Sequence, residues 1–190
     1  MITVGFALCG SYCTFNEAIK QLEELSKDSG IKLIPIMSEN AYSIDTRFGE
    51  ALDHIKRIEE ITKTKVLHTL TEVEPFGPKK TLDALIIAPC TGNSLAKIAL
   101  GVADTSVTFA AKAHLRNDRP ILIGISTNDA LAAAAKNIGS LHNIKNIFFI
   151  PYRQDDPINK PNSMVADFTK TKAALSLALI HKQMQPLVIC

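Results

Sequence analysis

The stretch TLDALIIAPCTGNSLAKIALGVADTS, residues 81–106, places an apolar run, a polar turn and an amphipathic segment in direct succession. Within residues 82–88 only Asp83 is polar. The run is too short for a globular helix and reads as a strand buried on both faces, ended by Pro89. Cys90-Thr91-Gly92-Asn93-Ser94 follows, with two hydroxyls, an amide and a permissive glycine at the strand's carboxyl end, where open α/β sheets hold ligands. Leu95, Ile98, Ala99 and Val102 then fall at i, i+3, i+4 and i+7, which predicts a helix capped by Asn93 or Ser94 and ended between Gly101 and Asp104. Unpaired N–H groups and the positive end of the helix dipole make such a turn suited to an anion.

Upstream, the same unit recurs. Residues 2–9 read as a strand ending at Gly10-Ser11, and Phe15, Ala18, Ile19, Leu22 and Leu25 recur at helical spacing with Thr14 as a cap. Residues 31–37 form the next predicted strand, followed by Ser38-Glu39-Asn40, where Ser38 suits a phosphate contact and a turn or cap equally well. A helix is predicted over residues 46–64, a short alternating piece over 66–73 and a breaker-rich loop over 74–80. Downstream, 107–115 reads as helix and 121–125 as a buried strand ending in Ser126-Thr127-Asn128-Asp129, with an alanine-rich helix from Ala130. Residues 147–150 read as a last strand, 151–163 as a polar loop covering a site, 165–183 as a closing helix and 185–190 as an apolar tail docked on the core or a neighbour. Strands alternating with helices predict one α/β domain over residues 1–190, a three-layer, doubly wound parallel sheet.

The 190 residues carry 21 Lys or Arg and 19 Asp or Glu, a net charge of +2, with no basic arm to suit nucleic acid. No apolar run approaches the length of a membrane span, the amino terminus lacks a signal-peptide pattern, and the four cysteines form no CxxC pair. A soluble cytoplasmic protein with reduced thiols and no metal site is expected.

Three polar strand ends on one rim of the sheet predict a phosphate site. Without a GxGxxG fingerprint or a Walker lysine, that site suits a mononucleotide held by hydroxyls, amides and backbone N–H groups, as flavin mononucleotide (FMN) is held.

Pro89, Thr91, Asn93, Ser94, Lys97, Ala99, Gly101 and Asp104 follow the spacing P-x-[ST]-x-N-[ST]-x-x-K-x-A-x-G-x-x-D. In this the chain resembles the flavoprotein-like family of homo-oligomeric flavin-containing cysteine decarboxylases and flavin prenyltransferases. Residues 66–120 and 125–168, with Gln185-Pro186, are similar to one branch whose members work beside a separate subunit. The resemblance implies a Rossmann or flavodoxin-like sheet, a trimer or dodecamer, FMN, and a partner subunit that supplies NAD(P) for oxidation of a small dicarboxylate in the mother cell of a sporulating bacterium; Lys79, Lys80 and Arg153, in predicted loops, are the candidates to meet that dicarboxylate. Carried onto this sequence, FMN contacts fall on Gly10, Ser11, Ser38, Thr91, Gly92, Asn93 and Ser94, with Ser126 and Thr127 at the next strand end. The decarboxylases' histidine before the central strand is replaced by Pro75-Phe76-Gly77-Pro78, and their Pro-x-Met-Asn motif by Ser126-Thr127-Asn128-Asp129. A decarboxylase and a non-catalytic scaffold with a vestigial pocket stand as the alternatives.

Overall fold

The computed structural model describes residues 1–189. In chain order it contains β1 (Ile2–Leu8), α1 (Phe15–Ser26), β2 (Ile31–Met37), α2 (Glu39–Ser43), α3 (Ala51–Thr62) and two single-turn helices, α4 (Leu70–Val73) and α5 (Phe76–Lys79). There follow β3 (Ala84–Cys90), α6 (Gly92–Ala99), α7 (Ser106–Leu115), β4 (Ile121–Thr127), α8 (Ala135–His142), β5 (Ile147–Phe149), β6 (Tyr152–Asp156), β7 (Lys160–Ala166) and α9 (Thr171–Ala178). Parallel pairing orders the core β2-β1-β3-β4-β5, the flavodoxin-like arrangement of a doubly wound sheet. All seven residues of β3 are buried, as its near-continuous apolar composition requires of a strand covered on both faces. Helices α1, α3 and α9 pack together, and so do α6, α7 and α8. Phe6, Phe15, Ile19, Leu22 and Leu85 are fully buried between the layers, each such burial contributing roughly 1.5–3 kcal/mol. No helix among the described residues is long and apolar enough to cross a membrane.

The doubly wound core is parallel as expected, and an added antiparallel hairpin makes the sheet as a whole mixed. Residues 151–163, expected as a polar loop, belong to an antiparallel hairpin, β6 and β7. Strand β7 pairs with the last two residues of β4, Ser126 with Val165 and Thr127 with Met164, while β5 pairs only with Ile121, Leu122 and Ile123. One edge of β4 is thus shared between two strands. At the hairpin tip the Asp156 carboxylate accepts from the N–H groups of Ile158 and Asn159, so Pro157 lies in a turn where its missing N–H costs nothing.

Other boundaries move for local reasons. Strand β3 runs through Pro89 to Cys90. Its pairing with β4 shifts register there, and the Pro89 carbonyl still accepts from the Cys9 N–H at 3.1 Å. Helix α3 starts at Ala51, after a turn in which Thr46 and Gly49 bond reciprocally and Gly49 takes φ +138°, while the Asp45 carboxylate accepts the Ala51 N–H. The predicted helix from Ala130 begins only at Ala135, and the closing helix over 165–183 shrinks to a 3-10 turn (Phe168–Lys170) and α9. The tail docks as expected: Tyr152 N–H donates to the Leu187 carbonyl and Ile189 N–H to the Tyr152 carbonyl. Its last residue, Cys190, lies outside the described residues.

Candidate functional site

At the carboxyl ends of β1, β3 and β4 the chain encloses a cavity of about 1160 Å³, above the ~300–1,000 Å³ usual for small-ligand sites. Its floor is the strand-end turns, residues 10–14, 91–93 and 126–129. The hairpin contributes a wall through Arg153, Asp155, Lys160 and Ser163, and the loop before α3 contributes Arg47 and Phe48.

The first turn and the β4 end meet directly. Ser11 and Ser126 share a hydroxyl hydrogen bond of 2.7 Å, and Thr14 lies 3.0 Å from the Ser126 hydroxyl. Thr14, the expected helix cap, makes no cap bond and donates its hydroxyl to the Ser11 carbonyl instead. Since a hydroxyl donates once and rotates freely, Ser11 can turn its proton to a cavity anion while Ser126 keeps Thr14. The backbone N–H groups of Gly10, Tyr12 and Cys13 find no acceptor among the described residues. Together these make one concave cluster of donors at the mouth of α1.

The Thr91 turn is built differently. Thr91, not Asn93 or Ser94, caps α6, its hydroxyl accepting from Ser94 N–H. Ser94 is buried behind the turn, where it accepts the Thr91 hydroxyl and donates to the Cys9 sulfur at 3.1 Å. Cys90 is buried as well, and the neighbouring Cys9 thiol and that burial push it well above the usual thiol range. Gly92 and Asn93 line the cavity, and their N–H groups have no partner among the described residues. Beside them stands Asp129. A Cβ on Gly92 would lie 2.8 Å from both the Asp129 Oδ1 and the Thr127 hydroxyl, and Thr127 donates to that carboxylate at 2.5 Å. A helix N-terminus stabilises a nearby carboxylate by ~0.3–1 kcal/mol. Two like charges ~4 Å apart near a protein surface repel by about 4 kcal/mol. A second anion at this turn therefore meets more repulsion than the helix offsets.

Of the nine residues singled out from sequence, Gly10, Ser11, Thr91, Gly92, Asn93, Ser126 and Thr127 line the cavity. Ser38 and Ser94 do not. Ser38 caps α2, its hydroxyl accepting from Ala41 N–H, and its own N–H donates to the Leu8 carbonyl. Lys79 and Lys80 also lie elsewhere, in and after α5, which packs against α7. Arg153 is on the wall and is joined by Lys20 and Arg47, which sequence reasoning missed. None of these three belongs to an ion pair among the described residues, whereas Lys160 is bound to Asp155 at 2.9 Å. Arg47 lies over the Phe48 ring, 4.8 Å from its centre. Asp155 is paired with Lys160, whereas Asp167 accepts from Thr169 and keeps its charge, so Lys20, Arg47 and Arg153 share the cavity with Glu17, Asp129 and Asp167, which likewise belong to no ion pair among the described residues. No histidine is among the lining residues.

The model of the family described as Flavoprotein matches residues 1–185. The chain belongs to the flavoprotein family. Among curated relatives, this flavoprotein is 45% identical over 186 residues to the B subunit of dipicolinate synthase from Bacillus subtilis (strain 168), covering 98% of this chain and 92% of that one. Among solved structures it is similar to the B subunit of dipicolinate synthase from Bacillus halodurans C, with 43% identity, a TM-score of 0.91, and coverage of 100% of this chain and 96% of that one. The FMN-dependent cysteine decarboxylase SpaF shares the fold at 24% identity and a TM-score of 0.65, covering 95% and 96% of the two chains.

Proposed function

We propose that this flavoprotein is the B subunit of a dipicolinate synthase, binding FMN in the strand-end cavity and acting with an NAD(P)-binding A subunit to oxidise dihydrodipicolinate to dipicolinate during sporulation. The observation that carries the reading is the donor cluster of the first turn, the Ser11 hydroxyl beside the free N–H groups of Gly10, Tyr12 and Cys13, in a cavity also lined by Lys20, Arg47 and Arg153. Free N–H groups and a rotatable hydroxyl fit a phosphate, and three cations suit its double charge or the two carboxylates of a small substrate. Thr91, Gly92, Asn93 and Thr127 line the rest of the floor, with Phe48, Met164 and Phe168 as apolar surface for a flat ring. Bound FMN would supply a two-electron acceptor. The chain's own share is to hold the anion, orient the ring and narrow the cavity's access to water with the hairpin wall. Ser38 and Ser94, implied as FMN contacts by family resemblance, act here as supports of the turns. In this reading residues 1–190 form one domain, the chain assembles as a homo-oligomer, trimer or dodecamer, and it works in the cytoplasm of the mother cell.

The test is a flavin-fluorescence titration of the purified chain with FMN, followed by mixing with freshly made dihydrodipicolinate and the A subunit, with and without FMN. Saturable quenching and FMN-dependent product absorbance are expected. Absence of quenching at micromolar protein removes the flavin from the reading. A second reading, a non-catalytic scaffold for the A subunit, is favoured by the carboxylate standing at the Thr91 turn. It predicts that Ser11→Ala and Asn93→Ala chains still support full synthesis with the A subunit. An FMN-dependent decarboxylase is the weakest alternative, because no histidine lines the cavity.

A further inference from the structure

The family spacing makes the 91–94 turn look like a phosphate contact, yet the chain places its own carboxylate there. Asp129 follows the β4 end, and Thr127 anchors one of its oxygens, leaving Oδ2 without a partner among the described residues. That carboxylate stands so close to Gly92 that a side chain at position 92 would collide with it. The first turn differs. The lining acid nearest it in sequence is Glu17, an exposed residue on α1 that takes part in no ion pair or side-chain hydrogen bond among the described residues.

We infer that Asp129 closes the turn at residues 91–93 to phosphate, so that a ligand's anionic end is directed to residues 10–14 and a neutral, hydrogen-bond-donating end faces Asp129. The inference rests on reading the cavity as an anion site and adds a polarity to it. Repulsion between two anions a few ångström apart exceeds what one helix terminus contributes, so the carboxylate decides what enters this corner. Its free oxygen accepts but cannot donate, which selects N–H or O–H groups on the ligand. A molecule with an anion at one end and an N–H-bearing ring at the other meets both demands. Asp129 is thus a specificity-determining residue, and Asn at the same position would offer a donor and no charge.

The experiment compares the intact chain with its Asp129→Asn and Glu17→Gln forms. The thermal unfolding midpoint of each is titrated with inorganic phosphate at constant ionic strength, and crystals of the first two are soaked in the same phosphate. Apparent phosphate affinity should rise about tenfold or more in D129N and less than threefold in E17Q, with the new ion on the Gly92 and Asn93 N–H groups. Equal gains in D129N and E17Q would reduce the effect to net charge and overturn the inference. So would no gain in D129N, or phosphate bound at Gly92 in the unaltered chain. If the unaltered chain binds no phosphate while D129N gains it at Gly92, the role of Asp129 stands and the assignment of a phosphate to the Ser11 turn falls.

Discussion

At the amino ends of β3 and β4, Arg119 spends its guanidinium on the Lys80 and Leu82 carbonyls and on Asp83, and Asp83 in turn accepts the Thr3 N–H at 2.8 Å. Beside it, Asn117 donates to the Phe76 and Gly77 carbonyls, and His114 shares a 3.0 Å hydrogen bond with the Pro120 carbonyl. At the carboxyl ends of the same strands Arg47 and Arg153 meet no carboxylate, and a row of N–H groups meets no acceptor among the described residues. Both rims carry cations and polar turns. One rim uses them to tie loops together and so supports the fold; the other leaves them unspent, which is the signature of a surface prepared for a ligand.

The comparison breaks most visibly with acid. Burial holds His114 neutral, its pKa pushed down to about 4 from 6.5, so the unfolded chain takes up the proton first as pH falls. Stability is then lost between pH ~6.5 and ~4, by up to about 3 kcal/mol for this one group. Denaturant unfolding at pH 7.5, 5.5 and 4 should show that slope, and His114→Gln should flatten it. A smaller effect is expected from Asp83→Ala, which strips Thr3 and Arg119 of their acceptor. It should cost about 1–3 kcal/mol in urea unfolding while leaving FMN affinity within about twofold.

On the other rim the balance reverses. Ser11→Ala should weaken FMN about tenfold, roughly 1.4 kcal/mol, measured by flavin fluorescence, with stability changed by no more than about 1 kcal/mol. Arg47→Ala should be the mildest, about threefold weaker binding that fades at high salt, and a stability change within about ±0.5 kcal/mol. If Arg47→Ala unfolds the chain while Asp83→Ala leaves it intact, the contrast between the rims is wrong.

Much of this was legible in the residues. Apolar runs of strand length alternating with helical spacing are local signals, and they placed the five parallel strands and the three polar turns at one rim. Seven of nine candidate residues line the cavity for the same reason, since the residues just past the carboxyl ends of β1, β3 and β4 arrive there. Ser38 escaped because capping and ligand binding ask for the same hydroxyl, and only the position of Ala41 N–H separates them. Lys20 and Arg47 escaped because they sit among the exposed charges of a helix and a loop, with nothing local to mark them.

Taken by itself, the chain's order of apolar and polar residues determined the core, its five parallel strands and the rim where chemistry would gather, because burial is set by patterns within a dozen residues. Tertiary structure alone decided that the hairpin over residues 152–166 joins β4 through Met164 and Val165 as a wall, that Ser11 and Ser126 meet across 115 positions, and that Asp129 stands over Gly92. Hydrogen bonds and charges act over a few ångström whatever the distance along the chain, so their partners exist only once the sheet has brought them together.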